Sequence, residues 1–259
     1  MKVTILGCGP SYGIPNVACG FGGCDFNEPK NMRMRSSILL QEKQATLLFD
    51  TSPDLRQQLF AAKVQHIDAV VWTHMHADHT AGIDDLRPLA FMHHQTTGNA
   101  FAFEGYLAEW DKEDFDKRFS FYTQPKWDGL PLINLHTLLP GKKQQIQGLD
   151  VLPIEQTHGR AKSLGFRIGD FAYNTDFSYL SEESLQLLEG VKVWVVACHE
   201  LHSGGRAHLS YFDVMELIKQ IKPERAYLTH MGQNMDYVKL SQNLPPNVQP
   251  AYDGLVIDI

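Results

Sequence analysis

Residues 74–79 read His74-Met75-His76-Ala77-Asp78-His79, directly after the apolar run Asp68-Ala69-Val70-Val71-Trp72-Thr73. Crowding three imidazoles and a carboxylate into six positions is costly on its own. A borderline cation such as Zn²⁺ makes it favourable, because neutral imidazole and carboxylate are both good ligands for it. The bland alternative is a solvent-exposed, His-rich turn. Against it stand further candidate ligands downstream, each following a strand-like run.

Val151-Leu152-Pro153-Ile154 runs toward His158, Phe171-Ala172-Tyr173-Asn174-Thr175 ends in Asp176, and Arg225-Ala226-Tyr227-Leu228-Thr229 ends in His230. Alone, each polar residue reads as readily as an ordinary loop residue. Together they supply His74, His76 and His158 for one ion, Asp78, His79 and His230 for a second, and Asp176 between the two. The pattern suits a fold in which buried strands end in ligand-bearing loops, the usual place for sites in α/β proteins.

The elements that must position these groups alternate along the chain. Strands are expected at 2–6, 37–41, 46–50 and 68–73, then near 149–154, 164–168, 171–175, 192–197, 225–229 and 255–259. A helix is expected from Pro53 to Ala62, with proline in a first turn where its missing N–H needs no partner. Further helices are expected near 181–189 and 210–220, opening on the caps Ser181 and Ser210 with acidic first turns. Two halves of strands interleaved with helices fit an α/β, four-layer αββα sandwich, read as a single domain over 1–259. The stretch from Phe91 to Trp127 is dense in aromatics, and Glu109–Arg118 is expected to be an amphipathic helix. Core packing explains the aromatics most simply. A homodimer interface is the main alternative, because aromatics are enriched in interface cores, and a stacked substrate base would use one or two rings.

A formal net charge of −7 argues against broad nucleic-acid binding, which relies on neutralising phosphates with Lys and Arg. It leaves room for a small phosphate ester, since two metal ions would dominate the local field. No apolar run is long enough to span a membrane, and the start reads as a strand rather than a signal peptide. Four cysteines fit the reducing cytoplasm, the expected location.

With these residues in view, the chain resembles metallo-β-lactamase-fold hydrolases over essentially its whole length. The His-Asp-His dinuclear pattern with His230 is more similar to the phosphodiesterase and ribonuclease branches than to the lactam-cleaving one. A narrower resemblance is to the cyclic-phosphate phosphodiesterases of bacterial phosphonate breakdown. It is carried by Gly7-Cys8-Gly9-Pro10-Ser11-Tyr12-Gly13-Ile14-Pro15, Asn31-Met32-Arg33-Met34-Arg35-Ser36-Ser37, Asp50-Thr51-Ser52-Pro53-Asp54-Leu55-Arg56, Gly82-Ile83-Asp84-Asp85-Leu86-Arg87 and Ala251-Tyr252-Asp253-Gly254-Leu255.

That resemblance implies two divalent ions, zinc or manganese with iron as an option. It implies a metallo-β-lactamase sandwich, support of the ligands from behind by Asp50, and Asp78 and His208 as catalytic residues, His208 as general acid. His199 and His202 are lesser candidates for pocket contacts, as are Ser163 and Lys162, and Arg33 or Arg35 for a phosphate or base. His66, His93, His94 and His136 read as surface or packing residues. The family's additional zinc site has three cysteines and a histidine. Cys19 and Cys24 match two of those positions, while Phe21 and Gln233 stand at the others, so this loop is expected to lack the ion. Cys8 and Cys198 read as small core residues. The leading expectation is hydrolysis of a small cyclic phosphate or nucleotide-like diester. Its rivals are a tRNA 3′-end endonuclease, for which no extended nucleic-acid surface is evident, and a metal-binding factor resembling the pyrroloquinoline quinone biosynthesis protein.

Overall fold

The computed structural model describes residues 1–43, 45–125, 129–202 and 205–259. The first half runs β1 (Lys2–Gly7), β2 (Ser37–Glu42), β3 (Ala45–Phe49), α1 (Leu55–Ala61), β4 (Ala69–Val71), α2 (Ala77–Thr80), α3 (Arg87–Thr97), β5 (Phe103–Ala108), α4 (Lys112–Thr123) and β6 (Ile133–Leu138). The second runs β7 (Gln144–Ile146), β8 (Leu149–His158), β9 (Ala161–Ile168), β10 (Phe171–Asn174), α5 (Glu182–Leu187), β11 (Val193–Ala197), α6 (Tyr211–Ile221), β12 (Arg225–Thr229), α7 (Tyr237–Asn243), β13 (Val248–Pro250) and β14 (Val256–Asp258).

Two seven-stranded sheets result, ordered β14-β1-β2-β3-β4-β5-β6 and β13-β12-β11-β10-β9-β8-β7. Strand alternation decides what each face covers. In β3 and β4, Leu47, Phe49, Ala69 and Val71 enter the core between the sheets. Leu48, Val70 and Trp72 turn the other way, into a second core with Leu55, Leu59, Ala90 and Phe115 of α1, α3 and α4. Burial on both faces explains why these strands read as continuous apolar runs. On the far side, Val214 and Ile218 of α6 pack into the core shared with β10 to β12. The layers are therefore helices, sheet, sheet, helices, as expected from the sequence.

The expected caps form: Ser181 accepts from Ser184 N–H, and Ser210 and Asp213 form a reciprocal capping box. The Pro53–Ala62 helix begins two residues later, at Leu55. The 149–154 and 164–168 strands are longer than expected and meet in one hairpin, with His158 paired to Ala161 at its tip. The helix expected over Glu109–Arg118 forms as α4, which starts at Lys112 after a 3₁₀ turn and runs on to Thr123, within a wider aromatic stretch of mixed structure. That stretch contributes β5, the 3₁₀ turn over Glu109–Asp111, α4 and part of the linker to β6. Phe103 and Phe115 are fully buried, which agrees with core packing, while Phe91 and Phe121 are exposed. Trp127 lies outside the described residues. Among those described, no helix is long and apolar enough to cross a membrane.

Candidate metal centre

Strand ends bring the ligand candidates to one place. β3, β4 and β5 run parallel, as do β10, β11, β12 and β13, so several carboxyl ends face the same edge of the sandwich. His74 and His76 follow β4, Asp78 and His79 lie on α2, His158 ends β8, Asp176 follows β10 and His230 follows β12. One donor atom from each of His74, His76 and His158 falls within a 4.8 Å set, and the same holds for Asp78, His79, Asp176 and His230. Asp176, which the sequence places between the two sets, falls in the second of these and also groups with His158 and His208.

Three of the ring nitrogens turned away from this cluster, on His74, His79 and His158, are occupied. His79 Nδ1 lies 2.7 Å from Asp50 Oδ2. Thr73 N–H donates to Asp50 Oδ1 at 2.8 Å, and the Thr73 hydroxyl sits 2.9 Å from His74 Nδ1. His158 Nδ1 donates to the Ala207 carbonyl at 2.8 Å. Such contacts fix ring orientation in metal sites. The nitrogens turned inward are different. His74 Nε2, His79 Nε2 and both nitrogens of His230 are buried without a well-formed hydrogen bond, while His79 Nε2 faces Asp78 Oδ2 at 3.2 Å and Asp176 Oδ2 at 3.1 Å, and His230 Nε2 faces Asp176 Oδ1 at 3.2 Å. A buried polar atom without a partner is expensive. Several converging on one point fit divalent cations, which would take the lone pairs of these rings and the carboxylates of Asp78 and Asp176.

Electrostatics favours the same reading. Burial, with the neighbouring His79, holds His74 well below the ordinary histidine range. Burial, reinforced by His158, lowers His76, and burial pushes His230 down to about 4. These rings are therefore neutral near pH 7, the form that ligates. His79 goes the other way: burial would lower it, but Asp50, Asp176 and Asp78 outweigh burial and raise it well above its ordinary value. Burial would raise Asp176 and Asp78, yet the adjoining histidines hold both below the usual carboxylate range. Excess negative charge thus faces the imidazoles, as a cation site requires.

The backbone is held in an unusual shape at the same residues. Asp50, Asp176 and His230 have φ of 65°, 50° and 53°, in the left-handed region that side chains with a Cβ disfavour. Such conformations persist where surrounding contacts fix them. Behind Asp176, Ser163 Oγ donates to its carbonyl at 2.7 Å and Gln156 Nε2 donates to Ser163 Oγ at 3.0 Å. Asn174 Nδ2 donates to Gln156 Oε1, and Trp194 Nε1 donates to Asn174 Oδ1. Gly165 is required here, since a Cβ would stand 2.0 Å from Asn174 Nδ2.

His208 reaches the centre as well. Its Nδ1 is buried without a hydrogen-bond partner, 3.8 Å from Asp176 Oδ1. Burial and the adjacent His230 push it down to about 3. His199 stacks on it with ring centroids 4.4 Å apart, and with His208 and His230 forms a further cluster of ligand-type nitrogens. His199 is thus brought to the pocket, where the sequence offers it as a lesser contact candidate, two residues beyond the end of β11. His202 stands apart, facing Phe212 at 6.4 Å.

The expectation for Arg33 is corrected. Arg33 is not a solvent-facing phosphate ligand: it is 2% exposed and donates to the carbonyls of Gly232 and Met235. Arg35 pairs with Asp54 at 2.9 Å and donates to Ser11 O. Lys162 pairs with Glu155 and sits over the Trp110 ring, while Ser163 faces inward under Asp176. In the N-terminal loop, Cys19 Sγ lies 2.7 Å from Gln233 Oε1, and Cys24 Sγ lies 3.2 Å from the Gln233 carbonyl. Cys8 and Cys198 are buried core residues.

Comparison with known proteins adds four findings. A family model described as the beta-lactamase superfamily domain matches residues 45–231. A crystal structure described as a new diphosphatase from the PhnP family superposes with a TM-score of 0.90 at 29% identity, covering 100% of this chain and 97% of its own. The Zn²⁺-bound PqqB of Methylobacterium extorquens shares the fold, with a TM-score of 0.79 at 19% identity over the whole of both chains. Among curated sequences, an octanoyltransferase of Porphyromonas gingivalis is 29% identical over 257 residues, 98% of this chain. The chain spans about half of that relative's length, 51%.

Proposed function

The chain belongs to the beta-lactamase superfamily, and from that premise we propose that it is a dinuclear, metal-dependent phosphodiesterase acting on a small cyclic phosphate or nucleotide-like diester. The observation that carries the proposal is the convergence of buried, unbonded imidazole nitrogens with Asp78 and Asp176. His74, His76 and His158 would hold one ion, Asp78, His79 and His230 the other, with Asp176 between them. A bound pair would polarise the phosphoryl oxygens and bring the pKa of water toward neutrality.

The chain's own groups do the rest. Asp50 holds the Nδ1 proton of His79, which keeps Nε2 turned inward. The Ala207 carbonyl does the same for His158. Water attacks phosphorus and sheds a proton to solvent, the bond from phosphorus to the leaving oxygen breaks, and that oxygen takes a proton from His208. Burial and His230 disfavour the charged ring of His208, and an anionic phosphate brought beside it shifts it back toward the protonated form that donates.

A second reading has one specific observation behind it, the likeness to a diphosphatase at 29% identity. The attack on phosphorus would be the same, with a phosphate rather than an alkoxide leaving. Acyl transfer, suggested by the octanoyltransferase relative, fits less well. The chain spans only 51% of that relative, and burial raises the thiols of Cys8 and Cys198 above their ordinary range, which disfavours them as thiolate nucleophiles. A tRNA endonuclease fits poorly with a net charge of −7. The test is to compare turnover of bis-p-nitrophenyl phosphate, a ribose cyclic phosphate, a nucleoside diphosphate and a pre-tRNA by the metal-loaded protein. Diester turnover supports the proposal. Turnover of the diphosphate alone transfers it to the second reading, and turnover of pre-tRNA alone overturns both.

A further inference from the structure

One charged side chain from outside the ligand set grips the ligand loop. α4 lies against the strand that precedes the HxHxDH run, with the buried Phe115 ring 4.9 Å from that of Trp72, two residues before His74. Arg118 leaves the same helix three residues later. Its Nη1 donates to the carbonyl of Met75, the residue between ligands His74 and His76. Its Nη2 donates to Thr80 Oγ1 at 3.2 Å, and that hydroxyl donates in turn to the His76 carbonyl at 3.0 Å. Asp114, one turn back on α4, lies 3.3 Å from Nη1 and steadies the guanidinium.

We propose that Arg118 is the positioning residue of the His74–His76 loop and acts mainly on the ion held by His74, His76 and His158. The planar fork matters. Two donors at fixed separation hold the start and the end of the loop at once, which the single ammonium of lysine does less well. The backbone carbonyls of a tight loop also need partners, and Arg118 supplies the one at Met75 directly and the one at His76 through Thr80. His79 shares one link with this loop, its N–H donating to the His76 carbonyl at 3.1 Å, but has further support of its own. Its ring is held by Asp50, and its carbonyl accepts from Thr51 N–H at 2.8 Å. Loss of Arg118 should therefore divide the two ions rather than weaken both. The inference rests on the two-ion reading of the centre and is independent of the substrate.

The test is calorimetric titration of Zn²⁺ into the metal-free full chain, alongside thermal melts without metal. In Arg118→Ala, one of the two binding events should weaken by about 10–100-fold, the range for groups that orient ligands. The other should stay within about threefold, by the same reasoning. Arg118→Lys should lie between Arg118→Ala and wild type. In a His158→Ala background, which already lacks the first ligand group, Arg118→Ala should cost nothing further. Should Arg118→Ala not fold, Arg118→Lys carries the test, and its loss must still fall on one ion. Equal loss at both ions, or no loss, overturns the proposal while leaving the metal centre intact. A wild-type chain that takes up no ion overturns the metal centre and this proposal with it.

Discussion

Two regions of the molecule collect side chains that bind metals, and they differ in what those side chains are already doing. At the HxHxDH centre, His74 Nε2, His79 Nε2 and both nitrogens of His230 are buried without hydrogen bonds. At the N-terminal loop, Cys19 Sγ is already engaged by Gln233 Oε1 and by Asn16 Nδ2 at 3.1 Å, and Cys24 Sγ by the Gln233 carbonyl. Burial also raises Cys24, keeping it a thiol rather than the thiolate that ligates. Residue type alone does not separate the two regions. Convergent donors left without partners do. Asp111 supplies a third case, a single buried oxygen without a partner and no second donor grouped with it.

The comparison breaks most sharply at the ligands. His76→Ala or Asp176→Ala should lose metal and diester turnover together, with activity falling to background; a variant that keeps full metal content would remove its residue from the set. His208→Ala comes next. It should retain both ions, and kcat on a diester with an alkyl leaving group should drop by about 10²–10⁴. The loss should shrink on p-nitrophenyl esters, whose leaving group departs without a proton. An equal loss on both would make His208 a residue that positions phosphate.

Smaller effects sharpen the contrast. Asp50→Asn keeps a similar shape but loses the carboxylate that orients His79, and metal affinity should fall by about 10–100-fold. Asp111 tests the solitary case. Burial, with Asp114 adding to it, raises its carboxyl to about 7. Between about pH 4 and 7 the unfolded chain has therefore lost a proton that the folded chain keeps, so folding stability falls as pH rises through that window and levels off above it. Asp111→Asn cannot ionise and should flatten this slope. Its melting temperature relative to wild type should rise between pH 4 and pH 8; a parallel pair of melting curves would show that Asp111 titrates normally.

Much of this centre was legible in the sequence because its chemistry is local to strand ends. An HxHxDH run after an apolar strand, and His158, Asp176 and His230 after three others, need only the rule that ligands project from carboxyl ends. The aromatic stretch was harder. Phe101, Phe103, Tyr106, Trp110, Phe115 and Phe119 mix strand and helix spacings, so β5 and the break before α4 are hidden. Arg118 sits among charges that pair along α4, such as Lys117 with Glu113, and its contact with Met75 spans 43 positions. Arg33 misleads for the opposite reason: an arginine in a run with Arg35 reads as available to a phosphate, yet this one is buried and donates to backbone carbonyls more than 190 positions away.

The most direct test of the contrast is metal content. Wild type and a Cys19→Ser/Cys24→Ser double variant should be reconstituted in excess Zn²⁺, freed of loose metal and assayed side by side by elemental analysis. Both should carry close to two ions per chain, because the His and Asp cluster holds them and the cysteine loop holds none. No more than one ion in the wild type, or one equivalent missing from the double variant, would contradict the account.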